Sequence, residues 1–452
     1  MNMDKSSATS KFLSGFKWNL FGSISYESIK ALHCFLLLNN LQPHVYGFLG
    51  SLFATVYLAT YIADFGATNS IPPFSGLFTR SQSNLKQFLL KYSLLPHIPI
   101  VLAAATVFTF LWSKRLTIVD APPYLFIVPG LIIFETMRSF LRQFLHTTFQ
   151  SRITVIVEVA LMIGYFAAIW GPHWLFGYPL TLNLIFLPHL LDSILAVSIL
   201  IFLVIRYRQT LPTTPLDLPT KIGKRLTTTK TFNYLLRVSR NMFTSNFLTP
   251  LFASKFGLQS AGMFYFASTL ANTTQSIVKA VISYSGGALL ANLKDAPQQE
   301  KKEAFRLISE KLMHVVAPVI IFLTINHQAV IRLGYSQNIT GKTLSLGLLF
   351  LIISFTEFFF ILYEQFYIIE EASNKLFIFK ILEISIFYGL IAFNHNLSLV
   401  STLISVIIIR FMSLSIIAIN AFYLWRIMPN FKTNLKYLAL CFAASLLCLL
   451  IL

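Results

Sequence analysis

The sequence predicts an all-α polytopic membrane protein, with 12–13 transmembrane helices in two six-helix lobes related as a parallel pseudo-repeat. Three observations predict it. The 452 residues are 56% hydrophobic and only 12% charged, with a mean hydropathy of +0.69, against roughly 45–50% and 25% in a soluble domain. Apolar runs of about 20 residues, the length that crosses a hydrocarbon core, recur along the chain. The short gaps between them alternate between rich and poor in Lys and Arg. The apolar content excludes intrinsic disorder. A pI near 9.8 would suit a nucleic-acid protein, but the sequence offers no soluble domain to carry that charge, so no nucleic-acid partner is expected.

The spans read, in order, 17–39, 45–66, 88–112, 122–146, 152–171, 180–205, 235–255, 260–290, 312–333, 341–363, 376–394, 398–425 and 435–452. Residues 1–205 form an N-terminal six-helix lobe. The segment 206–234, with Pro212, Pro215 and Pro219, reads as an extended cytoplasmic linker lying on an anionic leaflet. Residues 235–428 form the second six-helix lobe, and 429–452 add an extra C-terminal helix that decides between twelve and thirteen spans.

Most of the 35 Lys and Arg fall in every second gap. They are Lys5, Lys11 and Lys17, then Arg80, Lys86 and Lys91, then Arg142 and Arg152. A run from Arg206 to Arg240 follows, then Lys294 to Lys311, Lys375 and Lys380, and Arg426 to Lys436. The other gaps hold Lys114, Arg115, Lys255, Arg332 and Lys342. The positive-inside rule then places a multi-pass chain in the cell inner (cytoplasmic) membrane with its N-terminus in the cytoplasm. The first apolar run lacks a small-residue cleavage site, so it reads as a span and not a signal peptide. Cys34, Cys441 and Cys448 all fall in spans and read as small apolar packers. The segment 294–311 mixes Lys301, Lys302 and Arg306 with Glu300, Glu303 and Glu310, as an interfacial amphipathic helix would.

Six spans per half means both halves enter the membrane in the same direction, which makes the repeat parallel. Leu41-Gln42 followed by Tyr46-Gly47-Phe48 is echoed by Leu258-Gln259 followed by Ala261-Gly262-Met263, each before the second span of its half. The third span of each half carries proline near its inner end, at Pro96 and Pro99 and at Pro318. Proline removes an amide donor and loosens the helix, so matching breaks in both halves are expected.

The stretch Trp18-Asn19…Gly22-Ser23, then Leu41-Gln42-Pro43-His44-Val45-Tyr46-Gly47, then Ile62-Ala63-Asp64-Phe65-Gly66 resembles the opening of polysaccharide biosynthesis membrane proteins. These are the O-antigen-type flippases of the multidrug/oligosaccharidyl-lipid/polysaccharide (MOP) exporter superfamily. Gln42 stands where that family usually has Gly. The resemblance implies a MATE-like fold and a role in O-antigen, lipopolysaccharide or other polysaccharide assembly. It implies a secondary transporter that flips a lipid-linked oligosaccharide across the membrane by rocking two lobes. Membrane lipids and the lipid-linked oligosaccharide are the expected partners, with other polysaccharide-assembly proteins as possible ones, and a monomer is expected.

Charges inside spans are costly and mark function or pairing. Glu27 and Lys30 share one face of the first span, and Glu135 and Arg138 one face of the fourth, with Arg142 a turn further. Glu158, Asp192, Glu357 and Glu383 are single acids. Lys279 and Arg410 are bases with no opposite charge within a turn of their own helix. Local ion pairs, and snorkelling of Arg138 and Arg142, would account for the paired residues structurally. A cavity lined by Lys30, Lys279 and Arg410, with Arg138 as a further candidate, would suit an anionic substrate such as a lipid pyrophosphate. Related flippases imply a cationic central cavity of this kind. Glu27, Glu135, Glu158 and Asp192 are candidate H⁺ or Na⁺ coupling sites, the alternative being helix–helix hydrogen bonds. Asp64, beside Gly66, reads as a brace for the following loop.

No cofactor is expected. The chain has no GxxxxGK[ST] loop and no Gly-x-Ser-x-Gly elbow, and its nine His are dispersed without metal spacing. It reads as a transporter and not an enzyme. A membrane polymerase or glycosyltransferase would need a large external loop, and the external gaps are short. A multidrug or small-cation antiporter of the same superfamily remains the alternative, and would need an anionic or apolar cavity.

Overall fold

A computed structural model describes residues 5–116, 124–214, 222–242, 244–258, 261–262, 264–266, 268, 276, 282, 285–294, 296–326, 360–393 and 399–427, with 436, 439 and 443. Every regular element among them is helical. The first half runs α1 (Lys5–Asn40), α2 (Pro43–Ala63), α3 (Ala67–Phe78), a short α4 (Gln82–Gln87), α5 (Leu95–Leu116), α6 (Tyr124–Thr147), α7 (Ser151–Phe176) and α8 (Leu182–Gln209). The second half holds α9 (Ile222–Asn241), α10 (Ser245–Phe256), α11 (Gly287–Asn292), α12 (Gln298–Ile325), α13 (Phe360–Ile369), α14 (Ser373–Phe393) and α15 (Leu399–Trp425). Four of these contain stretches long and apolar enough to cross a membrane, at His44–Ala63, Ser151–Phe176, Leu182–Gln209 and Ile404–Trp425.

Local sequence sets the ends. Pro43 opens α2 because its fixed φ suits the first helical turn and its missing amide needs no partner there. Ser81 and Thr181 cap α4 and α8, their hydroxyls accepting from the amides of Asn84 (3.2 Å) and Leu184 (3.3 Å). Gly177 closes α7 in the left-handed region. Outward faces of α8 and α15 expose Leu191, Leu195, Phe202, Ile408, Phe411 and Ile419, as a surface in contact with lipid tails would.

The interior divides into three apolar cores. Two belong to the first half, one built on α2, α5, α6 and α7 around Leu52, Leu131 and Trp170, the other on α3, α6 and α8 around Phe74, Phe144 and Leu200. The third belongs to the second half, around Phe305, Ile361, Tyr367 and Ile417. Each half also lends side chains to the other. Phe12 and Phe16 of α1 sit in the second-half core, and Ile222 and Leu226 of α9 sit in a first-half core.

Several expectations change. The segment 206–234 is not an extended connector where it is described: α8 runs to Gln209 and α9 starts at Ile222. The span expected at 235–255 is two helices with a break near Thr244, whose backbone is extended. The basic stretch 294–311 is not a separate interfacial helix, since from Gln298 it is the first part of continuous α12. The proline breaks do not match. Before Pro96 and Pro99 the ladder widens into a π-helical stretch, Phe88–Leu94, whereas α12 remains α-helical through Pro318. Most of 341–363, 260–290 and 435–452 lies outside the described residues, and so do Lys279, Glu357, Cys441 and Cys448.

Candidate functional site

Two buried charge clusters and a chamber between the lobes make up the candidate site. In the first half, α6 points Arg138 into the space between α7 and α8. Its Nε donates to both carboxylate oxygens of Glu158 (3.1 Å each), and its Nη1 to Asp192 Oδ2 (2.8 Å) and Glu135 Oε1 (3.3 Å). Ser193 Oγ donates to Glu135 Oε1 at 2.6 Å. One guanidinium therefore holds three carboxylates from three helices, a use its planar fork of donors permits. Arg138 does not snorkel: it is buried, because three acids inside outweigh the reach to the interface.

In the second half, α14 and α15 face each other through Lys380, Glu383 and Arg410. Lys380 Nζ donates to Glu383 Oε2 (2.7 Å), Arg410 Nη1 to Oε1 (3.3 Å), and Ser413 Oγ to Oε2 (3.0 Å). Both cations lie over the Phe360 ring, Lys380 Nζ at 3.7 Å and the Arg410 guanidinium carbon at 4.9 Å from its centroid. The side chains of Arg410 and Glu383 are 0% exposed. Lys380 is thus not a cytoplasmic-face charge, as its place near a span end implied, because Glu383 one turn on draws it inward.

The chamber has a volume of about 50 Å³ and is lined by Lys30, Tyr26, Tyr57, Tyr165, His189 and Asp192 among others, with Tyr265 contributed by the second half. Lys30 projects into it from α1 with 31% of its side chain exposed, and Glu27 lies 3.9 Å behind it. Asp192 is 8% exposed and committed to Arg138. His33 accepts a 2.9 Å hydrogen bond from Trp170 Nε1, which anchors the α1 wall of the chamber to α7. Arg410 is not among the lining residues.

The halves meet at both ends of this chamber. At one end, Gly47 of α2 touches the segment that echoes it: a Cβ there would lie 2.1 Å from Leu258 O and 3.3 Å from Gly262 N. The Tyr46 and Tyr265 rings meet nearby, tilted by 59° with centroids 5.8 Å apart. At the other end, which carries the linker, Gly66 has φ +73 and backs against the Lys230 carbonyl, where a Cβ would come within 2.2 Å. Asp64 accepts from Arg237 Nη1 (2.5 Å) and from the Thr68 amide (3.2 Å). Arg237 also covers the Tyr61 ring. Glu371, at φ 56, is held by Arg225 and Lys294, both of which lie over Phe74. Burial pushes the Glu371 carboxyl up, but the hydrogen bonds and charges of Arg225 and Lys294 outweigh it and hold it below the ordinary glutamate range. Lys230, by contrast, is pushed down to about 8 by burial, only partly offset by Asp64.

No protein-family model matches the sequence, and no curated protein is similar to it in sequence. Solved structures are similar in fold. A mutant of the Vibrio cholerae MATE transporter VcmN superposes with a TM-score of 0.61 at 12% identity, covering 92% of this chain and 98% of that one. A MATE transporter in complex with MaD5 gives 0.65 at 12%, covering 96% and 97%. The chain has the fold of the MATE transporters. A MOP superfamily transporter from Pyrococcus furiosus, described by the reversed polarity of its binding pocket, gives 0.64 at 12%, covering 94% and 96%.

Within this MATE fold, Glu135, Arg138, Glu158 and Asp192 converge in one cluster, Glu27 and Lys30 meet at the chamber wall, and Arg410 stands apart in the second half. Sequence reading missed Lys380 and Phe360 as partners of Arg410, and the tyrosines of the chamber. The i, i+3 spacing of Lys380 and Glu383 was the available signal for the first.

Proposed function

We propose that this chain is a secondary transporter that flips an anionic, lipid-linked oligosaccharide across the cytoplasmic membrane by alternating access. The observation that carries it is Lys30. Of the charged side chains facing the chamber it is the most exposed, so the chamber presents a cation and a ring of tyrosine hydroxyls to its contents. A pyrophosphate linkage is stabilised by such a group in a low-dielectric site. Lys279, as a base near the middle of its span, is a second candidate contact. The linker end, with its basic excess, faces the cytoplasm.

The Arg138 cluster supplies the coupling. Three carboxylates around one guanidinium leave negative charge in excess, which the membrane interior tolerates only when it is neutralised. Arg138 fills the space between the acids, which favours a proton over Na⁺ as the coupling ion, carried among Glu135, Glu158 and Asp192.

The test is reconstituted flipping of a fluorescent polyprenyl-pyrophosphate saccharide. Lys30→Met abolishes flipping while the protein stays folded, and collapse of the proton gradient slows the wild type. Full activity in Lys30→Met removes the anionic-substrate reading. A second reading, multidrug antiport, is favoured by the aromatic wall of Tyr26, Tyr57, Tyr165 and Tyr265, which suits an organic cation. It predicts that Lys30→Met keeps or improves export of a cationic dye.

A further inference from the structure

A second, larger cavity lies nearer the linker end. Its volume is about 450 Å³, within the roughly 300–1,000 Å³ of small-ligand sites. Its wall is unlike that of the chamber. Apart from Trp18, Phe149, Tyr207 and Arg152 it is made of hydroxyl, amide and glycine residues, among them Thr79, Thr148, Gln150 and Asn292. The Arg152 guanidinium carbon lies 5.2 Å from the Trp18 ring centroid, so the two form one side of the cavity. Among the described residues of the lining there is no carboxylate.

The cavity and the chamber are both lined by α1, Trp18 in one and Tyr26 in the other. Eight residues of helix separate them, about 12 Å. The intervening turns are closed. Asn19 Nδ2 donates to Ser285 Oγ of the second half (2.7 Å) and lies 3.5 Å from Ser151 Oγ of α7. Ser151 is in turn hydrogen-bonded to His146 Nδ1 (3.1 Å). One turn on, Gly22 is pressed against Val155, where a Cβ would come within 2.4 Å. Depth along α1 also places the cavity. Trp18 is 22 residues from the far end of α1 at Asn40, about 33 Å, close to the hydrocarbon thickness of about 30 Å. The span expected over 17–39 then puts the cavity at headgroup level and Lys30, about 15 Å from Asn40, near the midplane.

We propose that this cavity is an antechamber that binds the neutral, hydroxyl-rich sugar portion of the substrate before the Asn19 closure opens. The proposal rests on the flippase reading for its biological role. Its chemistry is independent of Lys30. The hydroxyls of Ser75, Thr79, Thr147 and Thr148 and Asn292 Nδ2 donate to carbonyls of their own helices, which leaves their side-chain oxygens to accept from the hydroxyls of a sugar. The indole of Trp18 offers an apolar face to the C–H side of a pyranose. A lipid-linked saccharide carries its sugar at the headgroup depth at which the cavity lies, while its phosphates remain with the carrier.

The test uses a cysteine reporter. A Cβ at Gly76, in the cavity wall, meets nothing within 4 Å, so Gly76→Cys fits without strain. The full-length protein, with Cys34, Cys441 and Cys448 replaced by Ala, is placed in nanodiscs and labelled with a water-soluble maleimide. Labelling is timed with maltotriose, with N-acetylchitobiose and with inorganic pyrophosphate. A several-fold slowing by either sugar, lost in Trp18→Ala and in Asn292→Ala but retained in part by Trp18→Phe, is expected. Unchanged labelling with both sugars overturns the proposal. So does slowing by pyrophosphate alone, or sugar protection that survives Trp18→Ala. Sugar protection in a protein that does not flip lipid removes the flippase reading and leaves the antechamber. Flipping without sugar protection removes the antechamber alone.

Discussion

The two lobes solve the burial of charge in opposite ways. In the first, one base, Arg138, is shared by Glu135, Glu158 and Asp192; in the second, one described acid, Glu383, is shared by Lys380 and Arg410. The first cluster touches the chamber through Asp192, and the second is sealed beneath Phe360. An acid-rich cluster beside a cavity can take up and release protons as the cavity is wetted and dried. The buried second cluster ties α14 to α15. The contrast teaches that the two halves of one helical fold need not bury charge by the same chemistry.

The largest effect should come from removing the shared base. Arg138→Met leaves three carboxylates without their cation and should cost the 3–5 kcal/mol typical of a broken buried pair, or about that order. Arg410→Met leaves Glu383 its Lys380 partner and should cost less. Thermal unfolding in detergent ranks the two, and equal losses would break the comparison. Next comes Gly47→Ala, whose new Cβ meets the Leu258 carbonyl. Overpacking of this kind costs about 1–3 kcal/mol, and cross-linking between engineered cysteines at positions 46 and 265 should fall. Asn19→Ala should cost about 1 kcal/mol for its lost hydrogen bonds and should raise solvent access to Lys30.

The smallest effects lie at the linker end. The folded-state carboxyl of Glu371 is lowered, so its contribution is fully present above the ordinary glutamate value and fades as pH falls through the lowered one. Melting measured across the acid range should therefore lose less in Glu371→Gln than in wild type. Lys230 is lowered to about 8, so between that pH and its ordinary value the unfolded chain binds the extra proton and stability rises with pH. Lys230→Met should be slightly more stable than wild type at pH 7, with the difference shrinking as pH rises from about 8 to the ordinary lysine value.

Much of the helical layout was legible in the sequence because hydrophobic length is imposed by the bilayer itself. The Gly47 and Gly262 echo was legible in the sequence, and the structure brings the two segments into contact, Gly47 lying against the Leu258 carbonyl and the Gly262 amide. The Arg138 partners were legible as residue types but not as a set, since Glu158 and Asp192 reach Arg138 from other helices and no spacing rule links residues 20 and 54 apart. Lys380 lies near a span end, which by itself implies a place at the membrane face, but Glu383 one turn away holds it inside. The antechamber was not legible at all: Trp18, Thr79, Gln150 and Asn292 come from four separate segments, each of ordinary composition.

The glycine contact at position 47 also has a mechanical side. From Gly47 to Asp64, α2 is a lever of about 25 Å. If the lobes turn about the Gly47–Leu258 contact, a tilt of about 10° carries Asp64 through about 4 Å by that arm. Such a swing exceeds the reach of a hydrogen bond, so the 2.5 Å Asp64–Arg237 pair would part while the fulcrum barely shifted. A small rotation at one end is thereby enough to unlatch the other.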